Sequence, residues 1–437
     1  MPHQPSPEVL RDWLSCLQQV DGAGLTEAEA IDGLRLLEEL KSAAAAAQAR
    51  VTSQLYADRA RREAAEGVPA AKRCAGLGAE VALARRVSPH QGNTHLGVAL
   101  ALTREMPATL AALCAGRLSE WAATVLVRET AVLTAEHRTE VDRQLAPRLA
   151  DADCSGWGVR RLGNEARRIG YRLDPGAAIR RTRRAANDRR VSLRPAPDAM
   201  TYLTALLPVD QGVACYAALA READSTRACG DGEAATRGRG QLMADTLVER
   251  VTGRARASGT PVEIELVMTQ RTLLEGDGEP AHLVGYGTIP ADAARELVRD
   301  ADQAWVRRLF THPTSGALVA IDSRRRRFDG QLRHQLVLTN DTCATPWCDA
   351  PVRHADHGRP VRTGGRTALT NGTGLCEGCN YTKELPGWTA TILPRSDGSK
   401  VLDLASPTGH RHRSRAPDPP GAPDPLERRL RALVGVA

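Results

Sequence analysis

Four cysteines near the C-terminal end of the chain stand in two close pairs, Cys343-x4-Cys348 and Cys376-x2-Cys379. Four thiolates in such paired spacing fit a tetrahedral Zn²⁺ site. Disulfides are the rival interpretation, but the other cysteines are scattered without regular spacing, as is typical of reduced thiols in a cytosolic protein. A closed four-thiolate site leaves no open coordination position, so we expect a structural zinc ion that holds a small unit together.

Polar residues of another kind lie between and directly after these pairs. Asp356 and His357 are adjacent, Asn371 comes before the second pair, and Asn380 follows it directly. A neutral imidazole can take a proton from water near neutral pH, and carboxylate and amide oxygens suit Mg²⁺ or Mn²⁺. Singly, each residue has an ordinary explanation: a packing histidine, a turn asparagine, or an asparagine at a helix N-terminus. Only their joint placement inside the four-cysteine frame gives them weight.

This segment closely resembles the HNH (ββα-metal) nucleases, and the residues that carry the resemblance are Asp356, His357, Gly364, Gly365, Asn371 and Asn380. The resemblance implies that Asp356 and Asn380 ligate one catalytic metal ion, while His357 is the general base on the attacking water. Asn371 would pin the loop that orients the imidazole. Many members have His at the last position, so the amide of Asn380 should shift metal preference toward Mg²⁺ or Mn²⁺ and away from Ni²⁺ or Co²⁺.

Several basic residues are candidates for contact with a nucleic acid. His354 shares a strand face with Asp356 and competes with His357 as base, but the family pattern favours a role as a DNA contact. Lys383, one turn beyond Asn380, could contact a substrate phosphate or lie solvated on a helix. Two arginine runs could neutralise phosphates, although charge runs are commonly solvated faces. These runs are Arg180, Arg181, Arg183, Arg184, Arg189 and Arg190, and Arg324, Arg325, Arg326 and Arg327.

Composition limits the fold and the partner. A chain of 437 residues predicts two or three domains, and 42% hydrophobic residues with only 3% aromatics favour helices packed through Ala, Leu and Val. Lys and Arg number 59 against 52 acids, a net charge of +7 that favours an anionic partner. The N-terminus lacks a basic region followed by an apolar run, and no apolar stretch approaches about 20 residues. We therefore expect a cytoplasmic protein without a signal peptide or membrane span.

Local signals place most of the elements. Thr26-x-x-Glu29 is a capping box that predicts a helix to about Glu66. Alternation around the Pro-Ala-Pro-Asp turn in "RRVSLRPAPDAMTYLTALLP" predicts a small β-hairpin, and "PVEIELVMT" and "HLVGYGTIP" are predicted to be two paired strands. Further helices are predicted over 89–102, 107–113, 121–133, 136–149, 157–173, 209–221 and 241–251, with a Gly-rich loop before the last.

The predicted fold is mainly α, with a multi-helix N-terminal domain that carries a small β-hairpin and α+β part, followed by a zinc-stapled ββα-metal unit. The predicted divisions are an N-terminal segment 1–27, a helical domain 28–253, an α+β connecting region 254–330, the HNH unit 331–395 and a mostly disordered tail 396–437. Residues of about 28 to 395 resemble actinobacterial HNH endonuclease domain proteins whose N-terminal half is a helical domain of unknown function.

The expected function is metal-dependent hydrolysis of phosphodiester bonds in DNA, with RNA left open as a substrate. One HNH site cuts both strands only through two chains or two events, so a homodimer is also left open. The alternative is a catalytically inactive, zinc-stapled nucleic-acid-binding or scaffold protein, which would need neither His357 nor a second metal ion. A nuclease toxin is a third interpretation, but we identify no secretion segment for it.

Overall fold

The computed structural model describes residues 6–150, 157–176, 179, 185–229, 236–253, 266–299, 328, 330–361, 364–395, 399–418, 421–422 and 427. Within them the protein is mainly helical with small antiparallel sheets, as the sequence predicts. The elements of the first part are α1 Pro7–Gln18, α2 Glu27–Ala65, α3 Leu77–Arg85, α4 Pro89–Arg104, α5 Pro107–Cys114, α6 Glu120–Thr130, α7 Ala135–Ala150 and α8 Val159–Leu173.

The later part of the chain alternates short strands and helices. Its elements are β1 Arg190–Ala196, β2 Met200–Leu206, α9 Val209–Cys229, α10 Arg239–Thr252, β3 Leu266–Val267, α11 Gln270–Leu274, β4 Ala281–Leu283, β5 Gly287–Ile289, α12 Ala291–Arg299, α13 Gly330–Asn340, β6 His354–His357, β7 Gly372–Leu375, α14 Glu377–Thr382, β8 Thr389–Pro394, β9 Lys400–Ala405 and β10 Arg411–Arg415. A 3₁₀ turn, Leu369–Asn371, leads directly into β7.

The capping signals in the sequence mark real helix ends. The hydroxyl of Thr26 accepts from the Glu29 amide, and the Glu29 carboxylate accepts from the Thr26 amide at 2.9 Å, so the predicted capping box opens α2. Ser119 caps α6 in the same manner, accepting from the Ala122 amide at 3.2 Å. Proline stands at the first position of α5, where a missing N–H costs no hydrogen bond.

The first compact unit combines Met1–Arg73 with His95–Ile179. Its core joins small residues of α2, such as Ala46, to larger ones such as Met106, Leu126 and Leu145, each at most 1% exposed. Alanine allows close approach of the helix backbones, so a core poor in aromatics can still pack densely. This agrees with the composition-based prediction of Ala, Leu and Val packing.

The second compact unit combines Cys74–Thr94 with Arg180–Ala437, and this corrects the predicted boundaries. The predicted helical domain placed residues 74–94 with the N-terminal helices. Instead, Leu83 of α3 packs with Trp388, which precedes β8, and with Leu404 of β9. The physical reason is that the apolar side chains of α3 are buried by the C-terminal sheet.

The tail that the sequence predicts as mostly disordered contains ordered strands. Strands β8, β9 and β10 form an antiparallel sheet in the order β10-β9-β8, in which Leu402 is paired with Ile392 and with Ser414. Leu402 and Leu404 are buried, and the carboxylate of Asp403 is paired with the guanidinium of Arg411 at 2.6 Å. The Pro- and Arg-rich composition concealed the alternation of apolar Leu402 and Leu404 with the ion-paired Asp403. Of the short helix predicted at 426–434, only residue 427 is described.

Other predicted elements are confirmed with changes in detail. The hairpin forms from β1 and β2, with Leu193 paired with Leu203. The segment predicted as one partner strand, "HLVGYGTIP", contains both β4 and β5, because Gly285 at φ +79° reverses the chain between them. Helix α9 extends to Cys229, into the beginning of the predicted Gly-rich loop.

None of the described helices is by itself long and apolar enough to cross a membrane. Helices α4 and α5 meet that criterion only as a pair, and the pair is bent by 107° at its junction.

The buried carboxylate of Asp142 gives a stability prediction for the first unit. Asp142 is 1% exposed and accepts hydrogen bonds from the Ala108 and Thr109 amides at 2.7 and 2.9 Å, at the start of α5. Asp142→Ala leaves these N–H donors buried without a partner, so we expect a loss of about 2–4 kcal/mol in the free energy of unfolding. Denaturant titration followed by circular dichroism measures it.

Glu140→Ala is the matched control on the same helix, because Glu140 pairs only with side chains of its own helix at the surface. We expect little change in its unfolding midpoint. Equal destabilisation by the two substitutions would contradict the capping role of Asp142.

Candidate functional site

The structure brings the four predicted cysteines together. The Sγ atoms of Cys343, Cys348, Cys376 and Cys379 all lie within 4.8 Å of one another. The first two belong to the loop after α13, and Cys376 is the N-cap of α14, where its sulfur accepts from the Cys379 amide at 3.4 Å. The four-cysteine cluster could therefore hold a metal ion such as zinc.

The surroundings and protonation of the cluster fit that role. It packs with Leu375 in a small buried apolar group, which keeps competing water away. A hydrogen bond from the Cys348 thiol lowers the pKa of Cys343 to about 7. Bonds from Cys343 and Cys348 lower the pKa of Cys376, and bonding with Cys343 raises the pKa values of Cys348 and Cys379. A soft divalent cation would replace these shared protons and hold all four sulfurs as thiolates.

A two-stranded ribbon, β6 and β7, carries the other candidate residues. In its register Asp356 is opposite Thr373 and His357 is opposite Gly372. Side chains alternate between its faces. His354 and Asp356 face α14, with the His354 ring 5.9 Å from that of Tyr381, while His357 packs at 4.6 Å against the ring of Phe328.

The imidazole of His357 is held in one orientation. It is only 7% exposed, and its Nε2 lies 2.8 Å from the hydroxyl of Thr367, itself 4% exposed. Its Nδ1 lies 3.4 Å from Oδ1 of Asp356. When Nε2 carries the proton and donates to Thr367, Nδ1 remains a free acceptor on the side of the carboxylate. Thr367 is not predicted from the sequence, because a lone threonine in a loop has no distinguishing spacing.

Asp356 is ionised and paired. The His357 amide donates to its Oδ1 at 2.7 Å, and the ammonium of Lys383 lies 2.9 Å from its Oδ2. Burial favours the neutral acid, but the bonds from Lys383 and from the His357 amide outweigh it and hold the pKa of Asp356 below its ordinary value. The side chain is therefore a carboxylate whose negative charge is already paired with an ammonium.

The candidate nucleic-acid contacts differ in where they lie. The Lys383 side chain is 7% exposed and contacts Asp356 and Glu384, so it faces the carboxylate rather than open solvent. His354 is half-buried beside Tyr381. Arg180, Arg181 and the run from Arg324 to Arg327 lie outside the described residues.

Asn371 ties down the loop after His357. Its Oδ1 accepts from the Arg359 amide at 2.8 Å, and its Nδ2 donates to the carbonyls of Arg359 and Arg366 at 3.0 and 2.9 Å. Its own carbonyl accepts from the amide of Gly358 at 2.8 Å. Gly365 must be glycine here, because a Cβ atom would lie 1.8 Å from the Arg359 carbonyl oxygen. This geometry is compatible with the loop-pinning role that the resemblance implies.

Asn380 carries an unsatisfied acceptor. Its Oδ1 is buried and has no hydrogen-bond partner among the described residues. A buried acceptor without a partner costs about 1–3 kcal/mol, which a bound cation would recover. Asn380 lies one helical turn before Lys383, whose ammonium reaches Asp356 from the same helix end. The carboxylate and the amide oxygen are hard donors, and they fit Mg²⁺ or Mn²⁺.

The fold and the site define a mainly helical protein with a four-cysteine cluster in its C-terminal part that could hold a metal ion. Residues 34–337 match the family described as "Domain of unknown function (DUF222)". This match covers well over half of the chain, which therefore belongs to the DUF222 family. No curated protein and no solved structure matches the chain. Because the family match ends before Cys343, it does not include the candidate site.

We expect the purified chain to contain one tightly bound zinc ion, measured by elemental mass spectrometry after dialysis. Cys379→Ser removes one of the four sulfur atoms of the cluster and should abolish stoichiometric zinc. Cys215→Ser is the control, because Cys215 is exposed and outside the cluster. Zinc retained in Cys379→Ser, or lost equally in both variants, would refute the four-cysteine site.

Proposed function

We propose that this protein is a metal-dependent HNH endonuclease that hydrolyses phosphodiester bonds in DNA. The observation that carries the proposal is the grouping, around one short ribbon and helix, of a buried imidazole, an ionised carboxylate and an unsatisfied amide oxygen. Each of these is the residue that the resemblance to HNH nucleases assigns to that position. The net charge of +7 supports an anionic substrate.

In the proposed reaction, His357 takes a proton from the attacking water at Nδ1. The Thr367 hydroxyl accepts from Nε2–H and so keeps this tautomer and ring orientation. After proton transfer the imidazolium is stabilised by Asp356, whose Oδ1 lies 3.4 Å from Nδ1. The buried position beside Phe328 prevents rotation of the ring.

Asp356 and Asn380 would hold the catalytic Mg²⁺ or Mn²⁺. Such an ion supplies positive charge that offsets the charge building on the phosphate and on the leaving oxygen. The loop clamped by Asn371 fixes the backbone that follows His357. The four-cysteine cluster, which includes the N-cap residue of the same helix, would hold a structural zinc that takes no part in proton transfer.

The alternative proposal is a catalytically inactive nucleic-acid-binding or scaffold protein. One observation favours it: the Lys383 ammonium lies 2.9 Å from the carboxylate that should bind the catalytic metal ion. A lysine that permanently neutralised Asp356 would leave the cysteine-stapled unit folded but unable to hold that ion.

Cleavage of supercoiled plasmid separates these proposals. We expect the wild type to nick it in Mg²⁺ or Mn²⁺, and His357→Ala to be about 10²- to 10⁴-fold slower because the proton acceptor is gone. His354→Ala is the matched control on the other face of the same strand, and it should keep the turnover rate at saturating DNA. Zinc content is determined on all three, and a labelled RNA is tested in parallel.

If the wild type and both variants carry zinc and none cuts DNA or RNA, the binding or scaffold proposal replaces the nuclease. Equal rates for the wild type and His357→Ala would remove His357 as the base.

Metal preference tests the roles of Asp356 and Asn380. With two oxygen donors, the wild type should cut faster in Mg²⁺ or Mn²⁺ than in Ni²⁺, whereas Asn380→His supplies an imidazole and should shift the preference toward Ni²⁺. Mn²⁺ affinity, measured by electron paramagnetic resonance, should fall in Asn380→Ala. Faster cleavage by the wild type in Ni²⁺, or unchanged Mn²⁺ affinity in Asn380→Ala, would exclude this ligand set.

A further inference from the structure

Lys400 is a half-buried cation that the proposed reaction does not use. It is the first residue of β9, in the C-terminal sheet outside the predicted HNH unit. Its ammonium donates to the carbonyl oxygen of Leu369 at 2.8 Å and to that of Gly372. Leu369 is the first residue of the turn that carries Asn371, and Gly372 directly follows that turn.

Removing the Lys400 ammonium from water costs free energy, and a side chain whose only role is packing would avoid that cost. Burial lowers the pKa of Lys400 to about 8, because the interior disfavours the charged form. An apolar side chain would fill the same space without the loss of ammonium hydration. The energetic reason for a cation at this point is therefore its pair of carbonyl acceptors rather than the stability of the sheet.

The two carbonyl groups are connected to the candidate base, His357, in two ways: through strand pairing and through Asn371. Gly372 is the register partner of His357 in the β6–β7 ribbon. Asn371 lies between Leu369 and Gly372 in the sequence. Its side-chain oxygen accepts a hydrogen bond from the Arg359 amide, and its backbone carbonyl accepts one from the Gly358 amide. A cation that fixes both ends of the turn thus restrains the backbone opposite His357 and the backbone directly after it.

We infer that Lys400 is a positioning residue for His357, by which the C-terminal sheet clamps the Asn371 turn and becomes part of the catalytic unit. This inference rests on the proposed nuclease function for its kinetic consequence only. The clamp itself is a property of the fold and is measured without substrate.

The test compares three variants of the full-length, zinc-loaded protein by amide hydrogen exchange. Lys400→Met keeps the length and removes the donors, Lys400→Arg keeps the charge and the donors, and Arg413→Met removes another cation of the same sheet, one that contacts Asp403. We expect exchange at Gly358, Arg359 and Asn371 to rise at least about tenfold in Lys400→Met. Lys400→Arg should restore protection, and Arg413→Met should leave it unchanged.

Plasmid cleavage adds the kinetic readout. We expect kcat to fall about 10- to 100-fold in Lys400→Met with KM nearly unchanged, because a misplaced base affects the chemical step and not DNA binding. A purely structural role would instead lower the amount of folded protein, measured by zinc content and circular dichroism, without a selective loss of kcat.

Exchange at these amides that matches the wild type in Lys400→Met, or that rises equally in Arg413→Met, overturns the inference. Should Lys400→Met fail to fold, Lys400→Gln, shorter and uncharged, is measured instead: raised exchange supports the clamp, and wild-type exchange overturns it. If the wild-type protein cuts no substrate, the nuclease proposal fails by itself, while the exchange result still decides whether Lys400 holds the turn.

Discussion

The convergence of four cysteine sulfurs within 4.8 Å is the constraint on which the candidate site depends. In the described part of the segment from α13 to α14, the apolar clusters around Leu336 and Leu375 are small. So small a core cannot by itself fix the start of a six-residue helix relative to a two-stranded ribbon. A metal ion held by the cluster would join the loop after α13 to the first turn of α14, and would thereby set the position of the side chains that follow it.

Helix α14 separates two kinds of chemistry by one residue. Cys379 belongs to the sulfur cluster, whereas the next residue, Asn380, presents a buried oxygen without a protein partner, and Lys383 reaches Asp356. Successive helix positions are 100° apart, so adjacent residues face different directions. The proposed structural metal and the proposed catalytic metal can thus share one helix without sharing a ligand. Soft sulfur on one side and hard oxygen on the other would keep the two kinds of ion apart.

Features that depend on residues close together in the sequence could be predicted from it. Thr26 and Ser119 mark helix starts through hydrogen bonds within one turn, and Pro107 marks one through its fixed backbone angle. The cysteine spacing alone located the sulfur cluster. Prediction failed where the decisive contact is distant in the chain. Nothing near Leu83 shows that α3 packs with Trp388, and the partners of Thr367 and Lys400 are known only once the strands are paired.

Composition misled in the tail for a related reason. Arginine, proline and histidine predicted disorder, yet the alternate residues Leu402 and Leu404 are buried, and Asp403 between them pairs with Arg411 and Arg413 across the strand. A strand needs only alternate residues to be apolar on its buried face, so a low average hydrophobicity does not exclude a sheet that covers a neighbouring helix.

The charges around Asp356 determine how the metal affinity of the proposed catalytic centre would differ from that of the cysteine cluster. Asp356 is already compensated by Lys383, so a divalent ion must displace or share that ammonium before it gains the carboxylate. At Asn380 the ion would instead gain an oxygen that has no partner to lose. The cost of displacing the Lys383 ammonium and the gain at the Asn380 oxygen oppose each other. We therefore expect modest affinity and rapid exchange for the catalytic ion. The described bonds of the cysteine cluster join its own thiols and the Cys379 amide, so a metal that binds there breaks no ion pair, and its ion should remain through purification.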